Sequence, residues 1–236
     1  MIPFFRKVIN VFKLGFFGVI QSIFMSILIF KKHKMKDSII LRVGGSVHPI
    51  IETKINKSKK ILDVNISDDY LGQKNMVNIK SDAHNINLLN SEYVDFVLSS
   101  HTLEHMTNTI KALNEWKRIL KKNGIIYLSV PYYKKTFDWK RDVTNLEHFI
   151  DDYENNVGLN DNTHDDEFIK NYDVNKDFNF NSYEEWYKMW KSNPQIYTHY
   201  HVFDKKLLIQ LMNYVGFKKI NCFIFAHSIE YYGKKL

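Results

Sequence analysis

Residues 94–131 read VDFVLSSHTLEHMTNTIKALNEWKRILKKNGIIYLSVP, and this stretch decides the fold class. The apolar run 94–98 is too short for a helix and runs into two serines, so it reads as a buried strand. Over 110–120 the apolar residues Ile110, Leu113, Trp116, Ile119 and Leu120 recur at spacings of three and four, which marks one face of a helix. Lys117, Arg118, Lys121 and Lys122 gather at its end, where cations suit the negative pole of the helix dipole, and Asn123-Gly124 supplies a left-handed exit. Residues 125–130 then form a second strand, stopped by Pro131. Strand, amphipathic helix and strand in succession make a parallel crossover unit, and ligands of such sheets sit at the carboxyl ends of the strands. His101, Thr102, Glu104 and His105 fall at such an end.

These residues also carry a resemblance. The pattern D-F-V-x-S-x-H-x-L-E-H at 95–105, the helix motif E-W-x-R-x-L-K-x-x-G at 115–124 and the strand ending in Val130-Pro131 resemble the class I S-adenosylmethionine-dependent methyltransferases. Within that class the chain is similar to methyltransferase-domain proteins often encoded with surface-polysaccharide genes, through Thr136-Phe137-Asp138, the run 143–148 and Thr198-His199-Tyr200-His201-Val202-Phe203. The resemblance spans about residues 38–232. It implies an α/β Rossmann-like class I methyltransferase sheet over 37–236, mostly parallel with an antiparallel last hairpin, and a helical or loop insertion at about 132–200. It also implies S-adenosylmethionine as cofactor.

The same resemblance assigns roles to particular positions. Gly44 and Gly45, after the apolar strand 38–43, match the loop that lets backbone approach the methionine part of the cofactor, since a side chain would block that approach. Arg42 stands where the family has an acid, and a later loop glycine is missing. Asp63, on the strand 60–66, is the residue assigned to the ribose hydroxyls, with Asp68 and Asp69 as rivals. Asp82 with the backbone of Ala83, after a strand at 76–80, matches the position near the adenine amino group, and Ser100 closes the cofactor set. His101 faces the cofactor and substrate cleft in the resemblance and is the candidate catalytic base on an acceptor hydroxyl, because imidazole titrates near working pH. His105 is read as structural, bonding neighbouring backbone.

His101-Thr102-Leu103-Glu104-His105 also spells H-x-x-E-H, a zinc-peptidase pattern that needs both histidines on one helical face. Here it follows a strand directly, so no metal is assigned. A zinc hydrolase would have to draw further ligands from His148, His164, His199 and His201.

Charge separates the chain into two parts. Seven of the 33 basic residues and no acid lie in 1–36, which leaves 26 bases against 26 acids in the remainder and no basic surplus for a nucleic acid. Residues 14–30 carry no charge, a length at the lower limit of the ~17–25 residues of a spanning helix. Residues 1–36 are therefore expected to form a hydrophobic helix with a basic flank that attaches the protein to the membrane surface and keeps the domain on the cytoplasmic face; a helix that covers the sheet is the other reading. The single cysteine, Cys222, excludes an internal disulfide framework.

The insertion is rich in aromatics, among them Phe137, Trp139, Trp186, Tyr187 and Trp190, which either stack on a sugar acceptor or build the insertion's own small core. Its piece 151–181 shows little periodicity, whereas Ser182 followed by Glu185 reads as a capped helix start. Two functions are expected from the whole: methyl transfer to a hydroxyl or amine of a glycan, nucleotide-sugar or lipid-linked sugar, or a non-catalytic module of the same fold that binds within a glycan assembly complex.

Overall fold

The computed structural model describes residues 35–45, 51–52, 55–65, 79–177 and 179–236. The expected N-terminal membrane helix and residues 76–78 of the third strand lie outside these. Among the described residues no helix is long and apolar enough to cross a membrane.

Seven strands form one sheet: β1 (Ile39–Gly44), β2 (Lys60–Asn65), β3 (Ile79–Lys80), β4 (Val94–Ser100), β5 (Leu120–Pro131), β6 (Phe217–Phe225) and β7 (Ser228–Lys235). Their order is β3-β2-β1-β4-β5-β7-β6. β1 to β5 are parallel, and β7 runs antiparallel to both β5 and β6. The order reverses direction between β1 and β4, so the carboxyl ends of these neighbours open a crevice at the switch point.

The reading of 94–131 is realised with one change. α1 (Thr109–Ile119) starts on Asn108, whose Oδ1 accepts from the Lys111 amide at 3.1 Å. Its apolar stripe Ile110, Leu113, Trp116 and Ile119 is fully buried. Each such side chain contributes roughly 1.5–3 kcal/mol by leaving water. The left-handed residue after the helix is Asn123 (φ 64°) and not Gly124. Gly124 is needed for space instead, because a Cβ there would stand 2.7 Å from Leu120 side-chain carbons. β5 also pairs from Leu120 onward, with a register shift opposite 94–96.

The sheet buries both faces. Leu41, Val43 and Val97 pack with α1 and with α6 (Lys205–Val215), while Ile40, Phe96 and Leu98 face a second cluster with Ile51, Ile55, Phe223 and Tyr232. Asp204 caps α6, its Oδ1 accepting from the Leu207 amide at 2.7 Å, and Gly216 ends it at φ 94°.

Between β5 and α6 lie α2 (Leu146–Glu154), α3 (Asp165–Asn171), α4 (Tyr183–Ser192) and the single turn α5 (Pro194–Tyr197). Phe168, Tyr172, Trp186 and Trp190 form a third cluster, with Tyr172 and Trp186 stacked at 3.7 Å. Several of the insertion's aromatics, Phe137, Trp186 and Trp190 among them, therefore build its own core, whereas Trp139 and Tyr187 are exposed. Ser182 caps α4 by accepting from the Glu185 amide at 3.1 Å, but the Glu185 carboxylate reaches back to the Asn181 amide. α3 arises inside the piece that lacks periodicity, held by buried Phe168 and by Arg141, which binds Glu167.

Candidate active site

A cleft of about 270 Å³ opens over the ends of β1 and β2, near the lower end of the ~300–1,000 Å³ of small-molecule sites. Val43, Gly44, Val64, Asn65 and the loop Asp82-Ala83-His84 form one side, and Thr102, His105 and Thr107 the other. Leu159, Gln195 and Tyr200 of the insertion cover it.

Gly44 has φ 82°, a backbone state that costs any other residue, and a Cβ there would lie 1.9 Å from Thr102 Oγ1. Thr102 is itself fixed, its hydroxyl in reach of the Val43 carbonyl at 3.3 Å and the Ser100 carbonyl at 3.1 Å. Bare backbone thus meets the cleft at the end of β1, as a cofactor lying along the chain requires. Gly45 is half-buried with open space around it and does not line the cleft, nor does Ser100 at the end of β4.

Asp63 is placed elsewhere than its assigned role requires. It lies opposite Arg42 in the β1–β2 register, and the Arg42 guanidinium binds both Asp63 and Glu52. The strand-end position on the cleft belongs to Asn65, two residues on, which keeps a side-chain acceptor where the family resemblance calls for one. Arg42 is therefore a buried cation with two carboxylates around it, not an obstacle in the cleft.

Asp82 is on the cleft wall and is pinned there. Its Oδ1 accepts from the His84 amide at 2.9 Å and faces His84 Nδ1 at 2.7 Å. The Asn108 amide donates to His84 Nε2 at 3.4 Å, so the ring proton sits on Nδ1 and points at Asp82. Burial alone would raise the Asp82 pKa, but these hydrogen bonds outweigh it and hold the carboxyl below its ordinary value. α1 anchors the loop from behind: Trp116 Nε1 donates to the Ala83 carbonyl at 2.9 Å, and the Ile86 amide donates to Glu115 at 2.8 Å. A carboxylate held ionised and oriented in this way suits an exocyclic amino group.

Behind the cleft lies a second set of polar groups. His101 adopts φ 49°, its Nε2 2.9 Å from Ser228 Oγ and its Nδ1 3.6 Å from Glu104, and it is not among the residues lining the cleft. Desolvation, then the neighbouring His227 and His199, keep it neutral by lowering its pKa. His105 does line the cleft. Its Nδ1 donates to the Thr198 carbonyl at 2.9 Å, which leaves Nε2 unprotonated and 3.9 Å from Glu104 Oε1. This is the backbone bond read from the sequence, in a residue that also faces the ligand space.

Glu104 is wholly buried, and neither of its carboxylate oxygens has a hydrogen-bond partner. Desolvation raises its pKa to about 7, with Asp138 adding to the shift and His199 opposing it. His199 Nε2 is 4.0 Å from Glu104, and its Nδ1 is 2.6 Å from Asp138 Oδ2. Asp138 in turn binds Arg141 at 2.9 Å. Burial works against charge on His199, but Asp138 more than offsets it and raises the imidazole above its usual pKa. Asp138 and His199 come from the T-F-D and T-H-Y-H runs that carried the resemblance; the sequence did not show that they meet.

Comparison with known proteins agrees with this geometry. Residues 44–128 match the model of a family of methyltransferase domains, a span that takes in the cleft's strand ends and α1. A solved structure from Listeria monocytogenes, described as a candidate S-adenosylmethionine-dependent methyltransferase, superposes with a TM-score of 0.54 at 14% identity, over 91% of this chain and 98% of that one. A structure from Aquifex aeolicus, described as an S-adenosylmethionine-dependent methyltransferase, gives a TM-score of 0.48 at 14% identity over 89% of each chain. No curated protein matches the chain in sequence.

Proposed function

We propose that this chain, an S-adenosylmethionine-dependent methyltransferase by its domain match and its sheet, methylates a hydroxyl or amine and uses His105 and Glu104 to take away the acceptor's proton. When bound, S-adenosylmethionine supplies a methyl group on a sulfonium, whose departure leaves a neutral thioether. The fit of that cofactor rests on the bare backbone at Gly44, the strand-end acceptor Asn65 and the oriented carboxylate of Asp82.

A hydroxyl or protonatable amine must lose a proton as it gains a methyl, and most of the remaining catalysis is positioning. The observation that carries the reading is the unpartnered Glu104 carboxylate, with a pKa of about 7, next to a neutral imidazole that lines the cleft. In this reading His105 Nε2 accepts the acceptor's proton, the Glu104 carboxylate 3.9 Å away stabilises the imidazolium that forms, and the Asp138–His199 pair stabilises the charge that Glu104 carries. His101, bound to Ser228, holds the back of this pocket.

For the acceptor we favour a glycan, nucleotide-sugar or lipid-linked sugar at the cytoplasmic face of a membrane. The support is the resemblance of the 136–138, 143–148 and 198–203 runs, exposed Trp139 and Tyr187 on the insertion, and the uncharged segment 14–30 with its basic flank. The test is release of S-adenosylhomocysteine by the full chain with nucleotide sugars and lipid-linked glycans offered singly. Turnover with one of them that Glu104→Gln suppresses supports the reading. Turnover that is indifferent to Glu104→Gln removes the role of Glu104, and turnover only with non-sugar acceptors removes the glycan.

A further inference from the structure

A second histidine cluster stands apart from the cleft, on the other side of the segment 198–203. His148 and Asp152 are four residues apart on α2 and so share a face. His164 immediately precedes α3, and His201 is completely buried between them. One ring nitrogen from each of the three histidines lies within 4.8 Å of the other two.

The closest approaches have the dimensions of a coordination shell. His148 Nε2 and His164 Nε2 are 3.2 Å apart, His201 Nε2 and Asp152 Oδ2 are 3.0 Å apart, and His148 Nε2 is 3.5 Å from the same Asp152 oxygen. A tetrahedral ion with bonds of about 2.0–2.1 Å sets its donors about 3.3 Å apart. Without an ion the two ring nitrogens of His148 and His164 make one N–H···N hydrogen bond, which a bound cation would replace.

The surroundings hold the donors in place. His201 Nδ1 is 3.2 Å from Thr109 Oγ1 at the start of α1, an outer partner that turns Nε2 toward the cluster. Asn145 Oδ1 accepts from the His148 amide at 2.8 Å, and Asn108 Nδ2 donates to the Asp152 carbonyl at 2.9 Å. The Val202 amide donates to Thr144 Oγ1 at 2.9 Å. His148 and His164 remain partly exposed, which leaves an entry path.

We propose that His148, His164 and His201 bind one divalent ion of the zinc class, with Asp152, which contacts the His148 and His201 rings but stands outside the group of mutually close donors, orienting those rings. Three imidazole nitrogens suit Zn²⁺ or Co²⁺ better than Mg²⁺ or Ca²⁺, which prefer all-oxygen shells. The ion joins α2, the start of α3 and the segment 198–203. Leu159, in the loop between α2 and α3, lines the cleft, so the ion fixes the cover of the methyl-transfer site and takes no part in its chemistry.

The experiment is titration of Co²⁺ and Zn²⁺ into the metal-stripped full chain, read by the visible bands of tetrahedral Co²⁺, by metal content and by limited proteolysis of the 155–164 loop. One ion per chain is expected, bound at least tenfold more weakly by His164→Gln and by His148→Gln, two partly exposed positions whose variants keep the core, with zinc protecting the loop in the parent only. His105→Gln is the control, because Glu104, His105 and His199 form the other group with ligating potential among the described residues. Absence of tetrahedral Co²⁺ bands, binding unchanged in both His148→Gln and His164→Gln, or binding lost in His105→Gln would each overturn the proposal.

Discussion

The extended segment 198–203 separates two polar clusters that share composition and differ in almost everything else. On one side His199 meets Asp138, Arg141 and Glu104; on the other, His201 meets Asp152, His148 and His164. A regular strand would put residues two apart on one face, so the separation of the two imidazoles shows that the chain departs from regular strand geometry between His199 and His201. The first cluster is sealed, and its carboxylate Glu104 stands without a hydrogen bond while its charge is disfavoured. The second is half-open, and its three ring nitrogens lie within 4.8 Å of one another. Burial makes the first a place where a proton moves at neutral pH. Access and geometry make the second a place for an ion. The same residue types thus serve two ends according to how much water reaches them.

The sharpest way to break this contrast is at Asp138. It is buried and binds both His199 and Arg141, so Asp138→Ala takes the paired carboxylate from His199 and leaves Arg141 with Glu167 alone. A loss of roughly 3–5 kcal/mol in urea unfolding is expected. A loss below about 1 kcal/mol would show that the cluster is wetter than it looks.

Glu104→Gln tests the proton-handling side. The folded protein holds the Glu104 proton to about pH 7, whereas the unfolded chain releases it near the ordinary 4.5. The folded state therefore binds more protons between these values, and stability falls as pH rises through that window, by about 3 kcal/mol at most for this group. Glu230, raised to about 7 by burial against the opposing hydrogen bonds from Tyr127 and Ser129, contributes in the same direction. Glu104→Gln should remove this group's falling contribution and the double variant with Glu230→Gln that of both, read as the difference from the parent in unfolding free energy from pH 5 to 8, because the buried neutral His101, His105 and His201 contribute in the opposite direction below about pH 6.5. In turnover, the same substitution should remove the limb in kcat that rises toward pH 7 and slow the reaction by roughly 10²–10⁴-fold.

Zinc sharpens the comparison from the other side. At a free concentration a hundred times its dissociation constant, it should stabilise the parent by about 2.7 kcal/mol and the His148→Ala variant by no more than about 1.4 kcal/mol. The smallest effect is expected for His148→Ala in metal-free protein. Its side chain is 36% exposed and its ion pair with Asp152 is long, so a change within about 1 kcal/mol is expected in thermal unfolding.

The sequence was most legible where the sheet repeats its own rules. The period-three-and-four stripe of α1, the glycine after β1 and the acid after β3 each mark a local requirement, and the structure puts Gly44, Asp82 and Ala83 together on one cleft. The first correction lies in β2. Asp63 looked like a ribose ligand because a carboxylate on that strand was sought, but it is opposite Arg42 in register, and the cleft position is the amide Asn65. The out-of-place Arg42 was itself the signal, since a buried cation needs a buried partner. Of the two histidines in the loop after β4, it is His105 and not His101 that lines the cleft. Which of two histidines in one turn faces the ligand depends on the left-handed backbone at His101 and on Thr198, 93 residues beyond His105. The insertion was the least legible part. α3 depends on Phe168, Arg141 and the aromatic cluster around Trp186, none of which a local pattern in 151–181 reveals. The His148, His164 and His201 cluster is likewise assembled by tertiary packing of three segments.

The account stands most directly on the cleft as the cofactor site. The measurement is calorimetric titration of S-adenosylmethionine and S-adenosylhomocysteine into the full chain and into Asp82→Ala. Micromolar binding by the parent, weakened at least tenfold by Asp82→Ala, is the predicted result. Binding of equal strength in the two proteins, or no heat at millimolar ligand in the parent, would contradict it.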